Sequence, residues 1–252
     1  VVAGRSGGVV EAIEDGKTGV LVDPHDPNAV RQAIQSFFDD PERARAMGKA
    51  GRERVLRDFQ WEDRARRVED VFPLVSVIIP VYNRGHLLDK TLACLTRQTY
   101  RYFEVVIVDD GSSEDVESIV RSWKKRLPIR FERLASNQGG PVARNQGFAL
   151  SKGTFVLFLD HDACLRRDAL EVFVRTLVEC SDVDVAYSDH RFGWKLFRGR
   201  PFDSVALKHG NYIHTTSMMR REAFPGFDPT LKRFQDWDLW LTMGERGSKM
   251  KW

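Results

Sequence analysis

The chain has 252 residues, of which 42% are hydrophobic and 30% are charged, and its formal net charge is +3. This length and composition are typical of an ordinary soluble globular protein with one large or two small domains. So small a net charge does not indicate nucleic-acid binding, and no apolar run reaches the roughly 18 residues of a membrane-spanning helix.

The cysteines, Cys94, Cys164 and Cys180, form no C-x-x-C pair. Their number and spacing therefore predict neither a zinc site nor a disulfide framework. A reducing, cytoplasmic setting is the expectation for such a chain.

Residues 1–72 form the first predicted domain, a small segment rich in helices. Pro27 and Pro41 each follow an aspartate, the pattern typical of a capped helix with proline in its first turn. The predicted elements, in order, are a strand at Val1–Ala3, a helical stretch at Val9–Glu14, a strand at Val20–Val22, and helices from Pro27, from Pro41 to about Arg57, and from Gln60 to Val71.

Pro73 is the predicted boundary, because it interrupts a helical pattern that then gives way to strands alternating with helices. This alternation predicts an α/β domain over residues 73–252: a doubly wound, mostly parallel sheet with helices on both faces. The predicted strands are Leu74–Ile79, Glu104–Val108, Ile129–Leu134 and Thr154–Leu159, and the helices are His86–Gln98, Val116–Lys125, Pro141–Leu150 and Arg167–Cys180.

The strand Thr154–Leu159 stops abruptly at Asp160 and Asp162. Ligands of open α/β sheets bind at the carboxyl ends of the strands, and two nearby carboxylates suit Mg²⁺ or Mn²⁺ chelated together with a diphosphate. The alternative is that both aspartates are ordinary turn residues.

Four stretches in order resemble an inverting family 2 glycosyltransferase of the GT-A fold, over about 180 residues: VSVIIPVYNR, VVIVDDGSSED, NQGGPVARNQGFALSKGTFVLFLDHDA and MMRREAFPGFDPTLKRFQDWDLWL. The resemblance implies transfer of a hexose from a nucleotide-sugar, most simply a UDP-sugar, to a glycan or lipid-linked glycan. It also implies dependence on a divalent metal and places the protein in polysaccharide biosynthesis.

The same resemblance assigns the nucleotide-binding residues. Pro80, Tyr82 and Asn83 would line the base, and Asp110 would accept the N3–H of uracil. Tyr82 could equally be a packing residue, and Asp110 could instead form an Asx-turn.

For the reacting end of the donor, the resemblance makes Asp162 the metal ligand and places Asp160 on the ribose or on the metal through water. Arg144 would pair with an acidic group or the nucleotide, or else be a solvated surface residue. Asp236 matches the general base, with N-capping as its alternative role. Gln235 stands where the family usually has glutamate, so a like charge beside the base is missing.

Residues 1–72 resemble a different family, the far end of a family 4 transferase of the two-Rossmann type, in GGVVEAIEDGKTGVLVDPHDPNAV and DDPERARAMGKAGRERVLRDFQWEDRARR. The facing domain of that family is not in the sequence, so the segment is expected to be non-catalytic and the chain to be cut from something longer. The rival interpretations are a non-catalytic nucleotide-binding or interaction fragment and a sugar-1-phosphate nucleotidyltransferase. A peripheral position at the inner face of the membrane would fit the excess of Lys and Arg after residue 72.

Overall fold

The computed structural model describes residues 1–60 and 72–252, and the chain divides into two compact units, Val1–Val68 and Glu69–Trp252. The helix predicted for Gln60–Val71 falls almost wholly outside the described residues. None of the described helices is long and apolar enough to span a bilayer.

The described part of the first unit, residues 1–60, contains a two-stranded parallel sheet and three helices. Its elements are β1 (Val2–Gly4), α1 (Val9–Ala12), β2 (Val20–Val22), α2 (Pro27–Asp39) and α3 (Pro41–Asp58). The predicted caps are confirmed, because the side chain of Asp26 accepts from Asn28 N and that of Asp40 accepts from Arg43 N. These contacts satisfy N–H groups that have no partner within the helix.

The second unit contains a seven-stranded sheet of order β11-β7-β10-β6-β3-β4-β5. Its strands are β3 (Val75–Val81), β4 (Phe103–Asp109), β5 (Ile129–Arg133), β6 (Phe155–Phe158), β7 (Val185–Ala186), β10 (Met218–Arg220) and β11 (Met250–Lys251). The strands β6, β3, β4 and β5 are parallel, which confirms the mostly parallel α/β sheet. The strand β10, antiparallel to both β6 and β7, was not predicted.

Helices cover both faces of this sheet, as predicted. They are α4 (Gly85–Leu95), α5 (Val116–Trp123), α6 (Gly140–Leu150), α7 (Ala169–Glu179), α8 (Ser204–His209) and α9 (Gln235–Glu245). All seven residues of β3 are buried, and alternate residues point into different cores: Val77 and Ile79 pack toward α4 and α7, and Ile78 packs toward α6 and α9. A strand covered on both faces has no solvent-facing positions, which is why its sequence shows no polar alternation.

Gly147 fixes how closely α6 lies on the sheet. A Cβ at this position would overlap Ile78 Cγ2 and would crowd Val108 Cγ2 at 3.3 Å. The missing side chain lets the helix backbone rest directly on β3 and β4.

Candidate active site

The carboxyl ends of β3, β4 and β6 lie side by side at one edge of the sheet. Val81 pairs with Asp109, and Ile78 pairs with Phe158, in parallel register. The predicted convergence of the three polar strand ends is therefore present in the structure, with β3 between its two neighbours.

The loop after β3 is tied to the loop after β4. Asn83 has a positive φ of 50°, its backbone N–H donates to Ser112 Oγ at 2.9 Å, and its Oδ1 accepts from Ser113 N at 2.7 Å. Pro80 is buried within β3 itself, whereas Tyr82 is 45% exposed. Tyr82 is thus open to a ligand and is not a core packing residue.

Asp110 is buried, and its carboxylate already has three donors. Oδ1 accepts from Gln138 N at 2.7 Å, and Oδ2 accepts from Gly139 N at 2.8 Å and from Asn137 Nδ2 at 3.1 Å. None of these donors is the N–H two residues after Asp110, so the alternative of an Asx-turn is wrong; the neighbouring Asp109 accepts from Ser112 N, three residues on, at 2.9 Å. Asp110 shapes the loop before α6 and keeps one lone-pair position on Oδ1, so its contact with a uracil stays a prediction.

Arg144 joins the end of β6 to the start of α9. Its guanidinium donates to Asp160 Oδ1 at 2.8 Å and to Gln235 Oε1 at 3.0 Å, and the side chain is mostly buried. Arg144 therefore pairs with an acidic group and is not a solvated surface residue, whereas its contact with a nucleotide stays a prediction. The Cβ of a residue at Gly140 would lie 2.9 Å from Arg144 Nη1, so the glycine leaves room for the guanidinium.

Asp162 differs from Asp160 in having a free carboxylate. Its side chain is exposed, and within the described residues no donor or cation pairs with it. The described residues hold no cluster of three or more His, Cys, Asp or Glu side chains suited to a metal. Mg²⁺ is commonly held by one or two carboxylates plus substrate phosphates and water, so Asp162 with the second oxygen of Asp160 fits an ion that arrives with a diphosphate.

The helix α4 donates hydrogen bonds to the backbone of the segment that carries Asp160 and Asp162. Thr91 Oγ1 donates to the backbone oxygens of His161 at 2.7 Å and Ala163 at 2.9 Å. The sequence carries no signal of this role, because the partners lie about 70 residues apart and a threonine on an apolar helix face looks like any other packing residue.

A disulfide joins Cys94 of α4 to Cys164, whose Cα atoms are 5.7 Å apart. The expectation of no disulfide was therefore wrong. Spacing along the chain cannot reveal a pair that meets only because α4 packs beside the end of β6.

Asp236 lies in the first turn of α9 and accepts from Asn211 Nδ2 at 3.0 Å. The N-cap is Phe234, which has a positive φ of 59°, and no side-chain cap bond forms. The capping alternative for Asp236 is therefore wrong, and within the described residues Asn211 is the one side chain that donates to its carboxylate.

Two histidines lie on the same side as Asp236. The ring of His190 packs against His214 with centroids 4.4 Å apart, and His214 Nδ1 accepts from Thr216 N. Burial, together with the charge of His214, lowers the pKa of His190. Trp240, by contrast, is fully buried and donates to Ile213 O, so it is a core residue and not a sugar-stacking platform.

Residues 76–226 match the family model described as "Glycosyl transferase family 2". This match spans more than half of the chain. The chain belongs to glycosyl transferase family 2. A second model, "Glycosyl transferases group 1", matches residues 1–54.

Two curated relatives of this family 2 chain are named for teichuronic acid biosynthesis and for hyaluronan synthesis. The chain is 30% identical over 190 residues to the "Putative teichuronic acid biosynthesis glycosyltransferase TuaG" of Bacillus subtilis, covering 69% of this chain and 73% of the relative. It is 34% identical over 137 residues to "Hyaluronan synthase" of Pasteurella multocida, covering 52% of this chain and 14% of the relative. The chain spans less than a third of the length of several curated relatives that it matches.

Among solved structures, the chain is similar to TarS 1-349 of S. aureus. The TM-score is 0.58 at 26% identity, covering 67% of this chain and 54% of that chain. A TarS structure "in complex with UDP" matches with a TM-score of 0.55 at 27% identity, covering 65% of this chain and 52% of that chain. These likenesses confirm the GT-A-like α/β fold.

Proposed function

We propose that the second unit transfers a sugar from a UDP-sugar to a hydroxyl group of a glycan or lipid-linked glycan, with inversion at the anomeric carbon. The observation that carries this proposal is the bridge from Asp160 through Arg144 to Gln235, which holds the strand-end carboxylates beside the helix of Asp236. The side chain of Arg144 therefore contacts both the proposed donor side, through Asp160, and the proposed acceptor side, through Gln235.

The donor site comprises the edge formed by the loops after β3 and β4. The exposed ring of Tyr82 would contact the base, with Pro80 and Asn83 setting the course of the loop and Asp110 offering its remaining lone pair to the N3–H of uracil. The similarity to a TarS structure with bound UDP supports the choice of uridine nucleotide.

Asp162 and the free oxygen of Asp160 would hold Mg²⁺ or Mn²⁺ against the diphosphate. A bound divalent ion supplies charge neutralisation at the oxygen where the leaving group develops negative charge. Arg144, which neutralises one oxygen of Asp160, would keep the paired aspartates from repelling the diphosphate.

Asp236 would act as the general base. In a single displacement, its carboxylate takes the proton of the acceptor hydroxyl while that oxygen attacks the anomeric carbon and the bond to the diphosphate breaks. Asn211 donates to one carboxylate oxygen, and the other oxygen would contact the acceptor hydroxyl.

The donor site is tested by calorimetry with UDP, GDP and CDP, with and without Mn²⁺, on the wild type and on Asp162→Ala. We expect tight binding of UDP alone, only with metal, and loss of the metal dependence in the variant. Absence of nucleotide binding under every condition would instead support the non-catalytic fragment.

The base is tested with a matched pair on α9, Asp236→Asn and Asp238→Asn, by measuring UDP release from a panel of UDP-sugars. General base catalysis contributes about 10²–10⁴ in rate, so we expect a loss of that size for Asp236→Asn with UDP affinity retained. Asp238 lies about 200° away on the helix and its variant should keep most of the activity. Equal losses in both variants would contradict the assignment.

Residues 1–72 are proposed to be non-catalytic, and residues 73–252 to form the transferase. Glu11, which resembles a donor-side glutamate of the two-Rossmann enzymes, is exposed, and its backbone oxygen accepts from Arg54. We also propose that the protein lies in the cytoplasm, at the inner face of the membrane. The Cys94–Cys164 disulfide would be opened by the reductants of that compartment.

A further inference from the structure

The strands β8 (His190–Phe192) and β9 (Lys195–Phe197) form a two-stranded antiparallel sheet of their own, which we call the hairpin. Gly193 turns the chain at its tip with a φ of 56°. Beside it, Trp194 is fully exposed and Phe192 is 81% exposed. Leu196 and Phe197 are also exposed, so the hairpin presents apolar surface that contributes nothing to the described cores.

The hairpin and the residues just after it are strongly basic. Between His190 and Arg200 there is no acidic residue, and the side chains of Arg191, Lys195, Arg198 and Arg200 are all exposed. No salt bridge among the described residues involves any of the four. Asp189, at the base of the hairpin, forms no salt bridge with them, and its Oδ1 accepts hydrogen bonds from Gly199 N and Trp252 Nε1.

We propose that the hairpin docks on an anionic lipid bilayer, with Trp194 and Phe192 at the level of the lipid headgroups and the four cations on the lipid phosphates. Exposed tryptophan flanked by Lys and Arg is the chemistry of membrane interfaces, where the ring body is apolar and the surrounding charge attracts acidic lipids. Charge complementarity and the exposed apolar tip thus select the same partner.

An acidic polysaccharide is the competing occupant, and the composition of the hairpin disfavours it. Sugar hydroxyls need both donors and acceptors, yet residues 190–200 contain no Asp, Glu, Asn or Gln side chain that could accept from them. Phe192 and Trp194, exposed at the tip, would also stay in water on a hydrated polymer, whereas a bilayer interface buries them.

The base of the hairpin lies on the acceptor side of the candidate active site. The ring of His190 stacks on Phe197 at 4.8 Å and contacts His214 at 4.4 Å, and His190 lies within electrostatic reach of Asp236. If the hairpin bound lipid, the acceptor side of the candidate active site would face the membrane. The docking itself does not depend on the proposed transfer activity.

The test is cosedimentation of the whole chain with vesicles of phosphatidylcholine alone and of equal parts phosphatidylcholine and phosphatidylglycerol. We expect binding to the anionic vesicles only, weakened in about 0.5 M salt because screening shortens the reach of the cations. The double variant Phe192→Ser with Trp194→Ser should bind at least about tenfold more weakly, since two apolar side chains leave the interface.

Trp194→Phe should restore most of the binding, because it keeps the apolar body of the side chain. Phe38→Ser is the matched control, since Phe38 is a 75% exposed phenylalanine of the first unit, and it should bind like the wild type. Circular dichroism of each variant checks its folding, and UDP binding measured in parallel separates this proposal from the proposed function.

The proposal is overturned if the double variant binds as the wild type does, or if the wild type binds neither kind of vesicle. It is also overturned if the hairpin variants lose affinity for a soluble acidic polysaccharide while vesicle binding is unchanged, which would assign the surface to a glycan.

Discussion

The guanidinium of Arg144 lies 2.8 Å from the carboxylate of Asp160, in an ion pair whose side chains are only 13% and 34% exposed. The same guanidinium reaches Gln235, 91 residues away along the chain. One side chain therefore connects the end of β6, where the donor diphosphate is proposed to lie, to the helix of the proposed base.

Arg144→Ala leaves the carboxylate of Asp160 without its cation and Gln235 without its donor. A hydrogen bond to a charged group contributes about 1.5–3 kcal/mol, and we expect the free energy of unfolding to fall by that amount, together with UDP affinity. Denaturant unfolding and calorimetry measure the two effects. Arg121→Ala is the control: it removes an exposed helix pair with Glu117 and should cost less than about 0.5 kcal/mol. Similar losses in the two variants would show that the bridge contributes no more than a surface pair.

Gly147→Ala and Gly48→Ala should change stability in opposite directions. Both glycines lie within helices, where alanine is favoured by roughly 0.5–1 kcal/mol. A Cβ at Gly48 meets nothing within 4 Å, so that variant should be stabilised by about this amount. At Gly147 the Cβ overlaps the buried Ile78, and overpacking of about 1–3 kcal/mol should outweigh the helical gain. Thermal unfolding of the two variants measures both changes in stability. A stabilised Gly147→Ala would contradict the prediction and would mean that α6 moves away from the sheet at little cost in free energy.

The disulfide between Cys94 and Cys164 should stabilise the second unit. It closes a loop with a sequence separation of 70, for which the chain-entropy estimate is about 4 kcal/mol. We expect reductant, or Cys94→Ser with Cys164→Ser, to lower the free energy of unfolding by roughly 2–4 kcal/mol. Cys180→Ser is the control, because Cys180 is outside any disulfide, and peptide mapping without reductant reports the pairing. Unchanged stability after reduction would contradict the prediction.

Because of His190, the free energy of unfolding should decrease as the pH falls into the mildly acidic range. Its pKa is lowered in the folded chain by burial and by His214, while Asp189 and Asp236 act in the opposite sense. The unfolded chain therefore binds more protons, and the stabilisation is present above the ordinary histidine pKa of about 6.5 and is lost as pH falls below it. His190→Gln should flatten the dependence of the unfolding free energy between about pH 7.5 and pH 5. The exposed His86 supplies the control variant, His86→Gln, which should keep the wild-type slope, and an unchanged slope in His190→Gln would exclude this histidine as the cause.

Local chemistry along the sequence was enough to determine the parallel half of the sheet and its neighbouring helices. The strands β3 and β6 show no polar alternation and, apart from Ser76, are apolar, which is typical of strands covered on both faces. Asp26 and Asp40 cap helices through N–H groups two and three residues away. The polar residues that follow these strands were predictable for the same reason, because parallel strands bring their carboxyl ends to one edge.

Only the tertiary structure decided what the polar groups of the site contact. Asp110 takes its donors from Asn137 to Gly139, Arg144 bridges to Gln235, and Asp236 is excluded as a cap because Phe234 fills that position. The antiparallel β10 and the Cys94–Cys164 pair likewise depend on residues far apart in the chain. Helices and strands depend on the spacing of residues that are close in the sequence. A contact between residues 70 or 91 positions apart forms only when the core has packed, because the packed backbone determines which side chains can meet.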